Sequence, residues 1–207
     1  MGVGKLWQGM IMDRQMQKMK EICKNIQGEN HEKRYVLEDM PSVTKIILGG
    51  LGIKKVPVPI VAIMKSLEFQ VVSGKMEDEI SGIVAIDDAL KKEFKSDKVI
   101  AINSKDNIGH QRFTMAHELA HYLFDFDVSN SITYYNAYNT KEDESESERR
   151  ANYFAANLLM PEGIFREKFK QAVVENNLYL TVDNLSSIFQ VSHEAVKRRI
   201  AELSLQV

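Results

Sequence analysis

Gln111-Arg112-Phe113-Thr114-Met115-Ala116-His117-Glu118-Leu119-Ala120-His121 contains the pentad His-Glu-Leu-Ala-His, two histidines four residues apart with a glutamate beside the first. Phe113, Ala116, Leu119, Ala120, Leu123 and Phe124 fall on one stripe at about 100° per residue, which predicts a helix with a buried face. His117 and His121 lie one turn apart at the edge of that stripe, where two imidazoles can converge on a single metal ion. Glu118 points beside them, a direction suited to a carboxylate that contacts a metal-bound water without taking a coordination position. A lone histidine on such a helix is ordinarily packed or solvated; the whole pentad is a metal-site pattern with a general base built in.

A catalytic zinc takes three protein ligands and keeps one position open for water, so a third donor must come from elsewhere. In Glu148-Arg149-Arg150-Ala151-Asn152-Tyr153-Phe154-Ala155-Ala156-Asn157-Leu158-Leu159 an apolar stripe runs through Ala151, Phe154, Ala155, Leu158 and Leu159, and Glu148 falls inside it. A carboxylate on an apolar face is costly unless something pairs with it, and a metal held by a neighbouring helix is such a partner. Ala151 and Ala155 permit close approach of that helix, and Asn152, four residues after Glu148, is placed to orient a ligand without binding the metal itself. Glu144 would share the face if the helix began a turn earlier, but it belongs to an acidic stretch that reads as a solvated loop. Glu148 also has a plainer reading, as an acid complementing a helix N-terminus. Cys23 has no second donor at metal spacing and reads as a packing thiol.

Around these two helices the order is helix, small sheet, then helices. Leu6 to Ile26 carries Met12, Met16, Met19, Ile22, Cys23 and Ile26 at helical spacing, a packing stripe or a soft partner-binding face, and the polar stretch Gln27 to Lys33 closes it. Gly49-Gly50-Leu51-Gly52 marks a break, and Val56-Pro57-Val58-Pro59 is extended, since each proline pushes the preceding residue out of the helical region. Ile60 to Leu67 is predicted helical, followed by short strands at Phe69–Val72, Ile83–Ile86 and Lys98–Ile102, with a charged surface excursion over 87–97. Asp127 to Ser147 is a polar interruption. Thr181 to Leu203 reads as a helix, a Gln190-Val191-Ser192 turn and a second helix capped by Ser192, resembling a helix-turn-helix. The division that follows is an N-terminal helical segment over 1–55, a core over 56–161 and a C-terminal helical region over 162–207.

The chain has 207 residues, with 27 Lys and Arg against 29 Asp and Glu for a net charge of −2 and 44% hydrophobic residues. That composition is globular, and its near-neutral balance disfavours grip on nucleic acid by bulk electrostatics. Lys197, Arg198 and Arg199 could meet phosphate, but Asp183, Glu194 and Glu202 balance them, so DNA binding by the C-terminal region is a minor expectation beside packing or substrate docking. With one cysteine an internal disulfide is impossible. No apolar run approaches the roughly 20 residues of a membrane span, and neither a signal-peptide h-region nor a myristoylation pattern follows Met1, so the expected setting is the cytoplasm, away from membranes.

The stretch from Gln111 to His121, together with Glu148 to Met160-Pro161 and the preceding Val99-Ile100-Ala101-Ile102-Asn103, resembles the ImmA/IrrE family of metallo-endopeptidases over roughly Val56 to Pro161. The resemblance implies an α+β, zincin-like fold: a small mixed sheet, an H-E-x-x-H helix and a helical C-terminal part. It also implies zinc held by His117, His121 and Glu148, Glu118 as the catalytic general base, and a protein substrate of the helix-turn-helix repressor type, cleaved to regulate transcription. Arg150, where the family commonly has Gln or Glu, and Ala120, where Gly is common, depart from its pattern. Tyr134, Tyr135, Tyr138 and His193 are candidates for stabilising the oxyanion, with no basis for choosing among them. The competing reading is a DNA- or protein-binding regulator whose zinc site is not catalytic, or a toxin or antitoxin partner. Glu118 favours the enzyme, because a structural site needs no general base and ordinarily fills its fourth position with protein.

Overall fold

A computed structural model of the chain describes residues 3–126, 134–139, 145–174 and 177–206. In chain order the elements are α1 (Val3–Lys33), α2 (Met40–Gly50), α3 (Ile60–Ser66), β1 (Gln70–Gly74), β2 (Ile80–Ile86), α4 (Lys91–Phe94), β3 (Lys98–Asn103), α5 (Ile108–Phe124), β4 (Tyr134–Asn139), α6 (Glu146–Leu159), α7 (Glu162–Ala172), α8 (Leu178–Phe189) and α9 (His193–Glu202). Among the described residues four strands form one sheet, in the order β1-β3-β2-β4. β1 and β3 are parallel, and β2 runs antiparallel to both β3 and β4. The fold is thus the α+β arrangement that the family resemblance implied, with a mixed sheet and a helical C-terminal part.

Three elements differ from the sequence reading, each for a local reason. The polar stretch after Ile26 does not close α1; the helix continues to Lys33 because Gln27 and Asn30 find partners in the last turn of α5, donating to the Tyr122 and Phe124 carbonyls at 2.8 and 2.9 Å. Within the polar interruption over 127–147, Tyr134–Asn139 is a strand, pairing with β2 from Ile80 to Ile86. Its three tyrosines have high strand propensity, masked in a composition reading by the Ser, Asn and Thr around them. The excursion over 87–97 carries the short α4, held at the surface by Lys91 between Asp88 (2.6 Å) and Asp97 (3.2 Å). The methionine stripe of α1 is packing where described: Met19, Cys23 and Ile26 are buried in the core.

One hydrophobic cluster runs from Met19 in α1 to Ile200 in α9, with α5 through its middle. Two glycines set how closely α5 is approached. A Cβ on Gly82 would sit 2.5 Å from Thr114 Cγ2, so the helix lies directly on β2. A Cβ on Gly109 would sit 2.6 Å from the Val191 carbonyl carbon and 2.7 Å from Ser192 N, so the α8–α9 turn presses its backbone against the first turn of α5. Arg112 completes that junction, donating from Nε to the Gln190 carbonyl (3.0 Å) and from Nη2 to the Val58 carbonyl (2.7 Å).

Gly109→Ala is therefore expected to destabilise the fold by about 1–3 kcal/mol in denaturant unfolding, because backbone rather than a flexible side chain must move. Gly28→Ala, mid-helix with open space around it, is the opposite control, expected to stabilise by about 0.5–1 kcal/mol. Burial pushes the Cys23 thiol up to about 12, so the native protein at pH 8 should resist alkylation and react only on addition of denaturant. Prompt native-state alkylation would contradict the burial of α1.

Candidate metal centre

α5 begins at Asn107, whose side chain accepts from His110 N, and runs without a break through the pentad. Thirteen of its residues are buried, His117, Glu118 and His121 among them. α6 begins at Ser145, whose hydroxyl accepts from Glu148 N at 3.2 Å. Ala116 and Ala120 on α5 and Ala151 and Ala155 on α6 are all buried, and side chains this small let the two helices close on each other. The result is convergence. His117 Nε2 lies 3.0 Å from Glu148 Oε2, His121 Nε2 lies 3.1 Å from Glu148 Oε1, and the two Nε2 atoms are 2.9 Å apart. These three residues form a group able to hold a metal ion.

The other nitrogen of each ring shows which way the imidazoles face. His117 Nδ1 is 3.0 Å from Asn152 Oδ1, and His121 Nδ1 is 2.7 Å from Asp125 Oδ2. Both partners are acceptors, so Nδ1 carries the proton in each ring and each Nε2 is left with a lone pair directed into the group. Two lone pairs and a carboxylate facing one another below the surface require a positive charge between them, and the donors are those zinc takes, two imidazoles and a carboxylate. The site's charge balance agrees. The two imidazoles beside it hold the Glu148 carboxyl far below its usual range. Burial pulls His117 below its ordinary value. Burial acts in the same direction on His121, but the bonds to Asp125 and Glu148 together outweigh it and push this ring up to about 9. Without a metal the group holds a proton; a divalent ion can take its place.

Glu118 is fully buried beside the ligands and outside the ligand group; its charge raises the proton affinity of His121. Asn152, expected to orient a ligand, has its Oδ1 3.0 Å from His117 Nδ1. Glu144 and the side chains of Tyr134, Tyr135 and Tyr138 lie outside the described residues. His193 is paired with Asp183 (3.2 Å) and in edge contact with Tyr179, all on the C-terminal helix pair. Cys23 is buried in the core and belongs to no metal grouping among the described residues.

Sequence reasoning missed Asp125 and read Arg150 only as a departure from the family pattern that leaves the metal site intact. Asp125 Oδ2 also accepts from Ser147 Oγ at 2.7 Å, and Asp125 Oδ1 is paired with Arg150 Nη2. Arg150, 4% exposed, donates in addition to the Tyr35 carbonyl at 3.1 Å. A carboxylate four residues after a metal-type histidine was the available signal. Of the three cations considered for phosphate contact, Arg199 is buried, bonded to Asn157 Oδ1 (2.9 Å), the Met160 carbonyl (3.1 Å) and Glu202 (2.6 Å).

No helix among the described residues is long and apolar enough to cross a membrane. A comparison with curated proteins finds no match. Among solved structures the chain is similar to one described as a Mycobacterium tuberculosis transcriptional regulator, at 17% identity and a TM-score of 0.52. The match covers 89% of this chain and 51% of that one, so the chain spans about half the length of that structure, and at this identity the likeness concerns the fold. The family model described as IrrE N-terminal-like domain, peptidase M78, matches residues 75–201, more than half of the chain and including the C-terminal helix pair beyond Pro161. With the histidine pair, the α6 glutamate and this match in hand, the chain belongs to the peptidase M78 family of metallopeptidases.

Proposed function

We propose that the chain is a zinc-dependent endopeptidase that hydrolyses a peptide bond in a protein, with a helix-turn-helix transcriptional repressor as the substrate class. The observation that carries the reading is the convergence of His117 Nε2, His121 Nε2 and the Glu148 carboxylate with the buried Glu118 next to them in the chain. The donor set suits zinc, and three protein ligands leave room for water. When bound, the metal supplies Lewis acidity: it polarises the scissile carbonyl and lowers the pKa of water from about 16 to about 7.

This chain's own residues do the rest. Glu118 takes the proton of the attacking water at its carboxylate, and the water oxygen forms the new bond to the carbonyl carbon. Glu118 then delivers that proton to the amine nitrogen as the carbon–nitrogen bond breaks. Asn152, by accepting from His117 Nδ1–H, holds that imidazole so that Nε2 rather than Nδ1 faces the metal. Support for a transcriptional substrate comes from the family resemblance and, weakly, from the description of the similar mycobacterial structure as a transcriptional regulator. A cytoplasmic setting accords with such a substrate.

Wild type purified without added metal should hold close to one zinc per chain by elemental analysis, and Glu148→Ala should lose it, since removing one of three ligands breaks the site. An equal metal content in both proteins would remove Glu148 from the ligand set. Glu118→Gln should keep the zinc and lose cleavage of a co-expressed repressor by about 10²–10⁴-fold. Cleavage at the wild-type rate with zinc retained would return the chain to the class of regulators whose metal is not catalytic.

A further inference from the structure

We propose that Asp125 is a positioning residue for the metal centre: it fixes the His121 ring from behind, while Arg150, seated on the Tyr35 carbonyl, balances the buried charge this requires. The proposal rests on the reading of His117, His121 and Glu148 as metal ligands. Asp125 is the C-cap residue of α5. A carboxylate there stands at the negative end of the helix dipole, a position that disfavours an acid. Three donors offset that cost: His121 Nδ1–H and Ser147 Oγ–H on Oδ2, and Arg150 on Oδ1. The two oxygens thus divide the work, one toward the metal ligand and one toward the cation.

The Arg150 guanidinium is buried between Asp125, the Tyr35 carbonyl and the Phe124 ring, 5.4 Å away, so its charge is matched locally by Asp125. Tyr35 is itself fixed, its amide donating to Asn30 Oδ1 at 2.9 Å and its ring packing edge-on against Phe124. Tyr35 and Asn30 lie outside residues 75–201. The support behind His121 therefore draws on α5, α6 and the end of α1, whereas the Nδ1 of His117 meets Asn152 on α6.

The test compares two double variants that both remove the buried charge pair, Asp125→Ala with Arg150→Met and Asp125→Asn with Arg150→Met. Only the second keeps an acceptor for His121 Nδ1–H. Zinc affinity is measured by competition with a chromophoric chelator, and Co²⁺ absorption reports ligand geometry, neither of which requires turnover. The Ala pair should bind zinc about 10–100-fold more weakly than wild type, and the Asn pair should recover most of that loss and the wild-type Co²⁺ spectrum. Equal affinities for the two pairs overturn the proposal, because a purely structural role for the Asp125–Arg150 pair is lost equally in both. Glu148→Ala is measured alongside: if it binds zinc as tightly as wild type, the ligand assignment itself fails and the positioning role falls with it. If Glu148→Ala loses zinc while the two pairs match, only the positioning role is wrong.

Discussion

Two imidazole nitrogens 2.9 Å apart, both with lone pairs directed at the same carboxylate, are stable below the surface only with positive charge among them. Most of the surrounding architecture follows from holding that arrangement. The carboxylate comes from a second helix, so α5 and α6 must pack closely, and small side chains on both make that possible. The rings must present Nε2, so each Nδ1–H needs an acceptor, and these are supplied at Asn152 and Asp125. An acid at the C-terminal end of a helix then needs cationic support, which Arg150 provides from within the core.

The ends of the two ligand-bearing helices are fixed from opposite sides. At the C-terminal end of α5, side chains of α1 satisfy the Tyr122 and Phe124 carbonyls that the helix leaves without internal partners. At its N-terminal end the α8–α9 turn lies against Gly109, and Arg112 ties that turn to the extended segment before α3. α6 is held at its far end by Arg199 of α9, through Asn157 and the Met160 carbonyl. The N-terminal helical segment and the C-terminal helical region thus both fasten the helices that carry the site.

Legibility in the sequence divides along the range of the interactions. His117, Glu118 and His121 are legible because one helical turn brings them together, and Glu148 and Asn152 because a carboxylate on an apolar stripe, with its i+4 neighbour, is conspicuous. The three short strands were legible from β-branched runs, within a few residues at their ends. β4 was not, because its pairing with β2 is a tertiary contact and its tyrosines sit in a polar context. The polar end of α1 was misread for a related reason: Gln27 and Asn30 resemble a helix stop until their partners more than ninety residues away are known. Asp125 stood in plain view at i+4 from His121, but its meaning depends on Arg150 and Ser147, which no local pattern connects to it.

The C-terminal helix pair ties a turn that resembles a helix-turn-helix to the helix that carries Glu148. Two helices joined by Gln190 in the left-handed region, with Ser192 accepting from Ala195 N as an N-cap, reproduce the helix-turn-helix outline. In a DNA reader the second helix must offer its side chains to the groove. Here α9 turns Val196, Arg199 and Ile200 inward, and Arg199 spends its donors on α6 and on Glu202. Of the remaining cations on that helix, Arg198 is paired with Glu194 at 3.2 Å and Lys197 is exposed. The same burial that withdraws Arg199 from solvent fixes the end of α6, and so the helix that carries Glu148.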